Sequence, residues 1–258
     1  MRSVVVIAFT ALWILILLVP VTLSLLLTGS GDAAGWMARH LWAPAVLRVA
    51  GVELIAEQNP ALDLAQPYVF VGNHQGYFDI PAAFATIPHP IRFVAKRSLA
   101  FVPILGWYML LTGHVFVERG NRQQSMDSLR RAGERIGRGT SILIYPEGTR
   151  SDDESGAIRA FKKGGFMVAL AAQVPIVPVA VDGSHHIKRK GHFAIRPGTL
   201  KIKVGDPIPT AGLTTADREA LMRTVHDKPI DLHLSIGGVG GDRANAIAGQ
   251  SDDQRAAS

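Results

Sequence analysis

The chain has 258 residues, 48% of them hydrophobic, with 27 Lys and Arg against 21 Asp and Glu for a formal charge of +6. This excludes disorder throughout and suits one large core with appendages. The positive excess fits an anionic membrane surface, a nucleic acid or a phosphorylated substrate, and the absence of cysteine excludes a disulfide framework, a thiolate nucleophile and Cys-ligated zinc.

From Val4 to Leu27 there is no charged residue. As a helix this stretch extends roughly 36 Å, enough to cross the hydrocarbon layer. It is too long for the apolar region of a secretory signal, and "TGSGDAAGW" offers a poor cleavage site. Pro20 is expected to kink the helix. The next stretch mixes Trp36 and Trp42 with Arg39, His40 and Arg48, a composition suited to headgroup depth. Residues 1–51 therefore read as a membrane anchor, either a span plus a surface helix or a hairpin dipping into one leaflet. Arg2 alone precedes the apolar stretch, whereas Arg39, Arg48, Arg92, Lys96 and Arg97 follow it. The positive-inside bias then puts the body of the protein in the cytosol.

Beyond the anchor, six β-type runs alternate with helical ones: 68–72, 91–95, 114–118, 141–145, 175–181 and 199–204. Met126, Leu129 and Ile136 keep a helical spacing, and "GGFMVALAAQ" reads as a buried helix. The alternation predicts an α/β fold with a mixed, largely parallel sheet flanked by helices. A last helix is expected over "TTADREALMRTVHDK", with Thr214 and Asp217 as a capping box and Pro229 just past its end. The domain expected over 52–230 is followed by a flexible tail over 231–258, rich in Gly, Ala, Asp and Ser.

"YVFVGNHQGYFD" ends an apolar strand in Asn73 and His74, with Asp79 five positions after the histidine. On one regular helix the two would stand about 140° apart, so a turn at Gly76 is needed to bring them together. Asp79 then reads either as a helix N-cap, with Pro81 in the first turn, or as the carboxylate that orients a general base. No G-x-S-x-G nucleophile is present, so an activated group belongs most simply to the substrate, such as a hydroxyl. "RFVAKRS", "GHVFVERG" and "YPEGTRS" end other strands in Lys96, Arg119 and Arg150, cations fit for phosphate. A metal hydrolase lacks its ligand spacing, since His185 and His186 are adjacent and H-E-x-x-H is absent. Nucleic-acid binding lacks a motif.

"NHQGYFD", "GHVFVER", "YPEGTRS" and "VPIVPVAV", in this order over roughly residues 68–182, resemble the four sequence blocks of the 1-acylglycerol-3-phosphate (lysophosphatidic acid) acyltransferase family. The resemblance implies acyl transfer from acyl-CoA or acyl carrier protein to the free hydroxyl of lysophosphatidic acid, giving phosphatidic acid, with membrane lipids as partners and no metal or cofactor. It makes His74 the base and Asp79 its holder. It gives Arg119, Glu147, Gly148, Thr149 and Arg150 to glycerol phosphate, with Lys96 as a further contact. Pro175 and Pro178 of the fourth block would shape the wall. Gly76 stands where many members have Ser, and Glu118 where Asp is more usual. The alternatives are the same chemistry on glycerol 3-phosphate, a lysophospholipid or an aminolipid, or a non-catalytic protein that binds anionic lipid.

Overall fold

In the computed structural model, residues 1–117, 128, 132–133, 136, 139–150, 155–189 and 191–244 are described. Seven strands form one sheet in the order β1-β7-β6-β2-β5-β3-β4: β1 (Val52–Glu57), β2 (Val69–Gly72), β3 (Ile91–Lys96), β4 (Val115–Val117), β5 (Ser141–Ile144), β6 (Ile176–Asp182) and β7 (Gly198–Val204). Every pairing is parallel except β6 with β7, so the expected mixed, largely parallel α/β sheet is present. β2 and β5 are buried on both faces. That is why they read as continuous apolar runs rather than alternating ones. β1 escapes the sequence reading because it is an edge strand with four of its six residues exposed, and its Glu53, Ala56 and Glu57 carry no β signature.

The N-terminal segment forms a helical hairpin. α1 (Arg2–Thr28) runs on through Pro20. It returns through α2 (Asp32–Met37), one π-helical turn at Ala38–Trp42 and α3 (Ala43–Ala50). The arms are antiparallel: Arg2 Nη1 donates to the Ala50 carbonyl and Trp13 Nε1 to the Leu41 carbonyl. α1 is long and apolar enough to cross a membrane. One stripe of it, Val6, Ile14, Leu17 and Val21, is buried, while Val4, Leu12, Leu15, Ile16, Val19 and Leu23 are exposed, as are Phe101, Trp107, Leu110 and Leu111 of the neighbouring segment. An exposed apolar surface of this extent marks an interaction face.

The expected boundary at residue 51 coincides with the left-handed turn at Gly51 that ends α3, yet the core does not break there. Val6, Ala38, Ala43, Val46, Leu47 and Ala50 join one cluster with Phe70, Phe84, Val179 and Ile202. The boundary expected at residue 230 requires correction. After α4 (Asp79–Thr86), α5 (Leu105–Leu111), α6 (Gly164–Ala172) and α7 (Ser184–Ile187), the last helix α8 spans Arg218–Ser235 with Pro229 inside it. Burial of Met222, Val225, Ile230 and His233 carries the helix across the proline, whose missing N–H costs one hydrogen bond. The chain then packs back: Gly240 N–H donates to His233 Nδ1, and Gly241 bridges Ile158. Of the expected tail, residues 245–258 lie outside the described residues, as do Met126 and Leu129 of the expected middle helix. The expected capping box does not cap α8, which starts at Arg218 with no side-chain cap bond: the Thr214 N–H and hydroxyl both donate to the Asp217 carboxylate within the preceding turn.

Asn73 extends the β2–β6 pairing by side chain. Its Nδ2 donates to the Val181 carbonyl at 2.9 Å, and its Oδ1 accepts the Val181 N–H at 2.8 Å. Both groups are buried. Asn73→Ala leaves the two Val181 groups unpaired and is expected to lower stability by about 2–4 kcal/mol, seen as an earlier melt in detergent. An unchanged melt would show that this clamp does not hold the strand end.

Candidate active site

The C-terminal ends of β2, β3 and β5 lie side by side, the edge where open parallel sheets present ligand-binding loops. β2 delivers His74. The chain then bends at Gly76 and enters α4 at Asp79. Asp79 does not cap that helix. Its carboxylate turns back, and Oδ2 accepts from His74 Nδ1 at 2.6 Å, from the Gln75 N–H at 2.8 Å and from the Gly76 N–H at 2.9 Å. Asp79 is fully buried, while the His74 side chain keeps 19% of its surface. A carboxylate can only accept, so the proton on this contact belongs to Nδ1 and Nε2 is left as the basic nitrogen.

Two residues after β5 fix the histidine further. The Tyr145 ring stacks on the imidazole, centroids 4.2 Å apart and planes at 12°. Gly72 permits this, since a Cβ there would sit 3.3 Å from the tyrosine ring. The Tyr145 hydroxyl has no hydrogen-bond partner among the described residues. Burial, with the Asp79 charge, pushes it well above the ordinary tyrosine value. Glu147 Oε1 accepts the His74 N–H at 2.8 Å, and its other oxygen lies 3.6 Å from Arg159 Nε. Burial pushes Glu147 up to about 7, against the opposing pull of the His74 N–H and of Arg159.

A cavity of about 560 Å³ opens beside His74. Ile14, Leu17 and Trp42 of the N-terminal hairpin, Phe84, Phe93 and Met109 supply apolar wall; Lys96, Gly148, Thr149 and Arg150 supply polar wall. The left-handed Gly148, φ 74°, turns the chain after Glu147. Arg159 Nη2 braces the next stretch by donating to the Thr149 and Arg150 carbonyls. The Arg150 guanidinium lies over the Tyr77 ring, 3.7 Å from its centroid.

The structure therefore gathers His74, Lys96, Gly148, Thr149 and Arg150 around one cavity, with Asp79 directly behind the histidine. Glu147, expected to contact glycerol phosphate, has a buried side chain that supports the His74 backbone. Arg119, with Glu118, lies outside the described residues. The sequence reading missed Tyr145, Arg159 and the support from Gln75. Tyr145 alone carried a signal, as an aromatic at the mouth of a buried strand.

The family profile described as Acyltransferase matches residues 47–182. Over 214 residues the chain is 31% identical to the 1-acyl-sn-glycerol-3-phosphate acyltransferase of Saccharomyces cerevisiae, covering 82% of this chain and 70% of that protein. It is 40% identical over 179 residues to the human 1-acyl-sn-glycerol-3-phosphate acyltransferase beta, covering 67% and 63%. The fold is similar to the crystal structure of the 1-acyl-sn-glycerophosphate (LPA) acyltransferase PlsC from Thermotoga maritima, with a TM-score of 0.74 at 24% identity over 90% of this chain and 94% of that one.

Two outcomes follow from the histidine's supports. Tyr145→Phe removes only an unpartnered hydroxyl and is expected to keep stability and turnover. Tyr145→Ala removes the stacked ring and should cost about 3–5 kcal/mol with a fall in kcat. If both variants behave alike, the ring is not what positions the imidazole. For Glu147, the folded value lies above the unfolded one, so its stabilising contribution is full below about pH 4.5 and is lost as pH rises through about 7. Glu147→Gln keeps an oxygen for the His74 N–H. It should exceed the parent at pH 8 by on the order of 3 kcal/mol and lose that advantage at pH 4.5, as read by denaturant melts at the two pH values. A pH-independent difference would contradict this.

Proposed function

Because the chain belongs to the acyltransferase family, we propose that it moves a fatty acyl group from a thioester, acyl-CoA or acyl carrier protein, to the free hydroxyl of 1-acylglycerol 3-phosphate, forming phosphatidic acid. The observation that carries this is His74, held through Nδ1 by buried Asp79 and facing a cavity with apolar wall for acyl chains and cationic wall for phosphate.

The acceptor hydroxyl gives its proton to His74 Nε2 as its oxygen attacks the thioester carbonyl. Asp79 stabilises the imidazolium that forms. The tetrahedral intermediate collapses, the C–S bond breaks and the same imidazolium returns its proton to the departing sulfur. Nothing in this sequence needs a covalent enzyme intermediate. Positioning two bound substrates supplies much of the rate. Arg150 and Lys96 bind the headgroup phosphate, and Thr149 and Gly148 shape the loop that presents Arg150. Arg119 is assigned to the same headgroup by its place in the second sequence block.

The exposed apolar side of α1, together with Phe101, Trp107, Leu110 and Leu111, rests in the bilayer, where acceptor and product reside. The excess of Lys and Arg after α1 supports a cytosolic catalytic body.

Purified protein in detergent micelles, given labelled acyl-CoA and a panel of lysolipids and glycerol 3-phosphate, should acylate 1-acylglycerol 3-phosphate fastest. His74→Ala should fall to near background and Asp79→Asn by roughly 10²–10⁴-fold in kcat. Turnover by His74→Ala close to that of the parent would end the base assignment.

A further inference from the structure

One cation near the cavity has no place in this scheme. Lys188 follows α7, outside the stretch that matches the family. α7 is drawn against the catalytic loop at Gly76, where a Cβ would stand 2.4 Å from Ser184 Oγ and 2.8 Å from the Ser184 carbonyl oxygen. Only a residue without a side chain lets the two backbones come this close. The Lys188 N–H donates to that same Ser184 carbonyl at 3.2 Å, so the close approach fixes where the lysine begins. Its ammonium then reaches over the Tyr77 ring, 5.3 Å from the centroid. Arg150 occupies the same ring at 3.7 Å.

Two cations thus lie over one ring, and their distances to its centroid put them no more than about 9 Å apart, roughly one Debye length at physiological salt. Among the described residues neither is paired with a carboxylate, and Arg150 Nη1 is buried without a hydrogen-bond partner. Like charges held this way call for an anion. A phosphate bridging two cations at N–O distances of roughly 2.8 Å spans about 8 Å, and a phosphate monoester carries about −1.5 to −2 at neutral pH, more than one guanidinium neutralises.

We infer that Lys188 is a specificity-determining residue that joins Arg150 on the acceptor's phosphate monoester and disfavours headgroups carrying a choline or ethanolamine cation. The inference rests on the acyl-acceptor reading above. The Tyr77 ring carries both cations, and a phosphate monoester has an oxygen to offer each. A positively charged headgroup substituent would meet the second cation instead, and specificity by repulsion follows.

The test compares the parent with Lys188→Gln, Lys188→Met and Lys188→Arg in detergent micelles, varying lysophosphatidate, lysophosphatidylcholine, glycerol 3-phosphate and acyl-CoA in turn. Lys188→Met keeps the aliphatic stem over Tyr77 and removes only the charge. With lysophosphatidate, Gln and Met are expected to raise KM about tenfold with kcat little changed, and Arg to keep it near the parent value. KM for acyl-CoA should move by less than about twofold on the same scale, and the preference over lysophosphatidylcholine should narrow. Should glycerol 3-phosphate also react, its KM must rise in parallel, since the phosphate is the same. A parent that acylates no phosphate monoester overturns the acceptor reading together with this one. A parent that acylates lysophosphatidate with the same KM as the variants overturns this inference alone, as does a change confined to acyl-CoA or to kcat.

Discussion

A single oxygen organises the site. Asp79 Oδ2 takes three donors, one from the imidazole and two from the backbone of the loop between strand and helix. A neutral side chain could not satisfy all three, and a carboxylate desolvated to this degree is tolerable only with such partners. Closing the loop on the carboxylate forces the turn at Gly76, sets the start of α4 and aims the imidazole, so loop shape and base orientation are one constraint. It also engages the Gln75 and Gly76 N–H groups. Neither of these two N–H groups is therefore free to act as an oxyanion donor.

A second polar layer holds this loop against the rest of the molecule. Gln75 Nε2 donates to the Gly156 carbonyl at 2.9 Å, and its Oε1 accepts from His185 Nδ1 at 3.0 Å. Its amide also lies 3.2 Å from His233 Nε2. His233 accepts the Gly240 N–H at Nδ1, so Nε2 carries the proton toward Asp182 at 3.1 Å. That hydrogen bond holds Asp182 below the usual carboxylate range. The left-handed Gly156, φ 69°, makes room: a Cβ there would press within 2.6–2.8 Å of His185 and Gln75. One glutamine thereby couples the catalytic loop to the segment after the Arg150 loop and to His185 of α7, with His233 of the C-terminal helix beside it. Buried networks of this kind specify one arrangement only when their members are satisfied.

Fold class was legible because β2, β5 and β6 are buried on both sides and write their burial as unbroken apolar runs. β1 was not, because an edge strand half open to solvent leaves no such run. The error over α8 has the same root: Pro229 reads locally as a stop, and only tertiary burial of Ile230 and His233 overrides it. At the site, spacing and turn chemistry made a His74–Asp79 pair possible but left Asp79 open as a helix N-cap, and the resemblance to the family chose the pair. Their outer supports were not legible. Glu147 sits 73 positions from the backbone it holds and His233 158 positions from Gln75, and no periodicity records a contact at that range. Glu147 is hard to read for a further reason. A glutamate beside Thr149 and Arg150 looks like part of a ligand loop, and only the direction of its side chain shows that it serves the histidine.

The N-terminal hairpin belongs to this same chemistry rather than to tethering alone. Its inner stripe completes the core and its Ile14, Leu17 and Trp42 complete the cavity wall, while its outer side chains remain apolar and uncovered. A freely tethered anchor would leave Val46, Leu47 and Ala50 without their cover. α1 is hydrophobic all round and shows no amphipathic pattern, as a helix covered by protein on one side and, on the proposed reading, by lipid on the other would be. For the proposed acyl transfer, an amphiphile that reacts at its polar end would be served by that arrangement: its chain would stay in an apolar medium while its hydroxyl and phosphate reach the sheet edge where His74 and the cations stand.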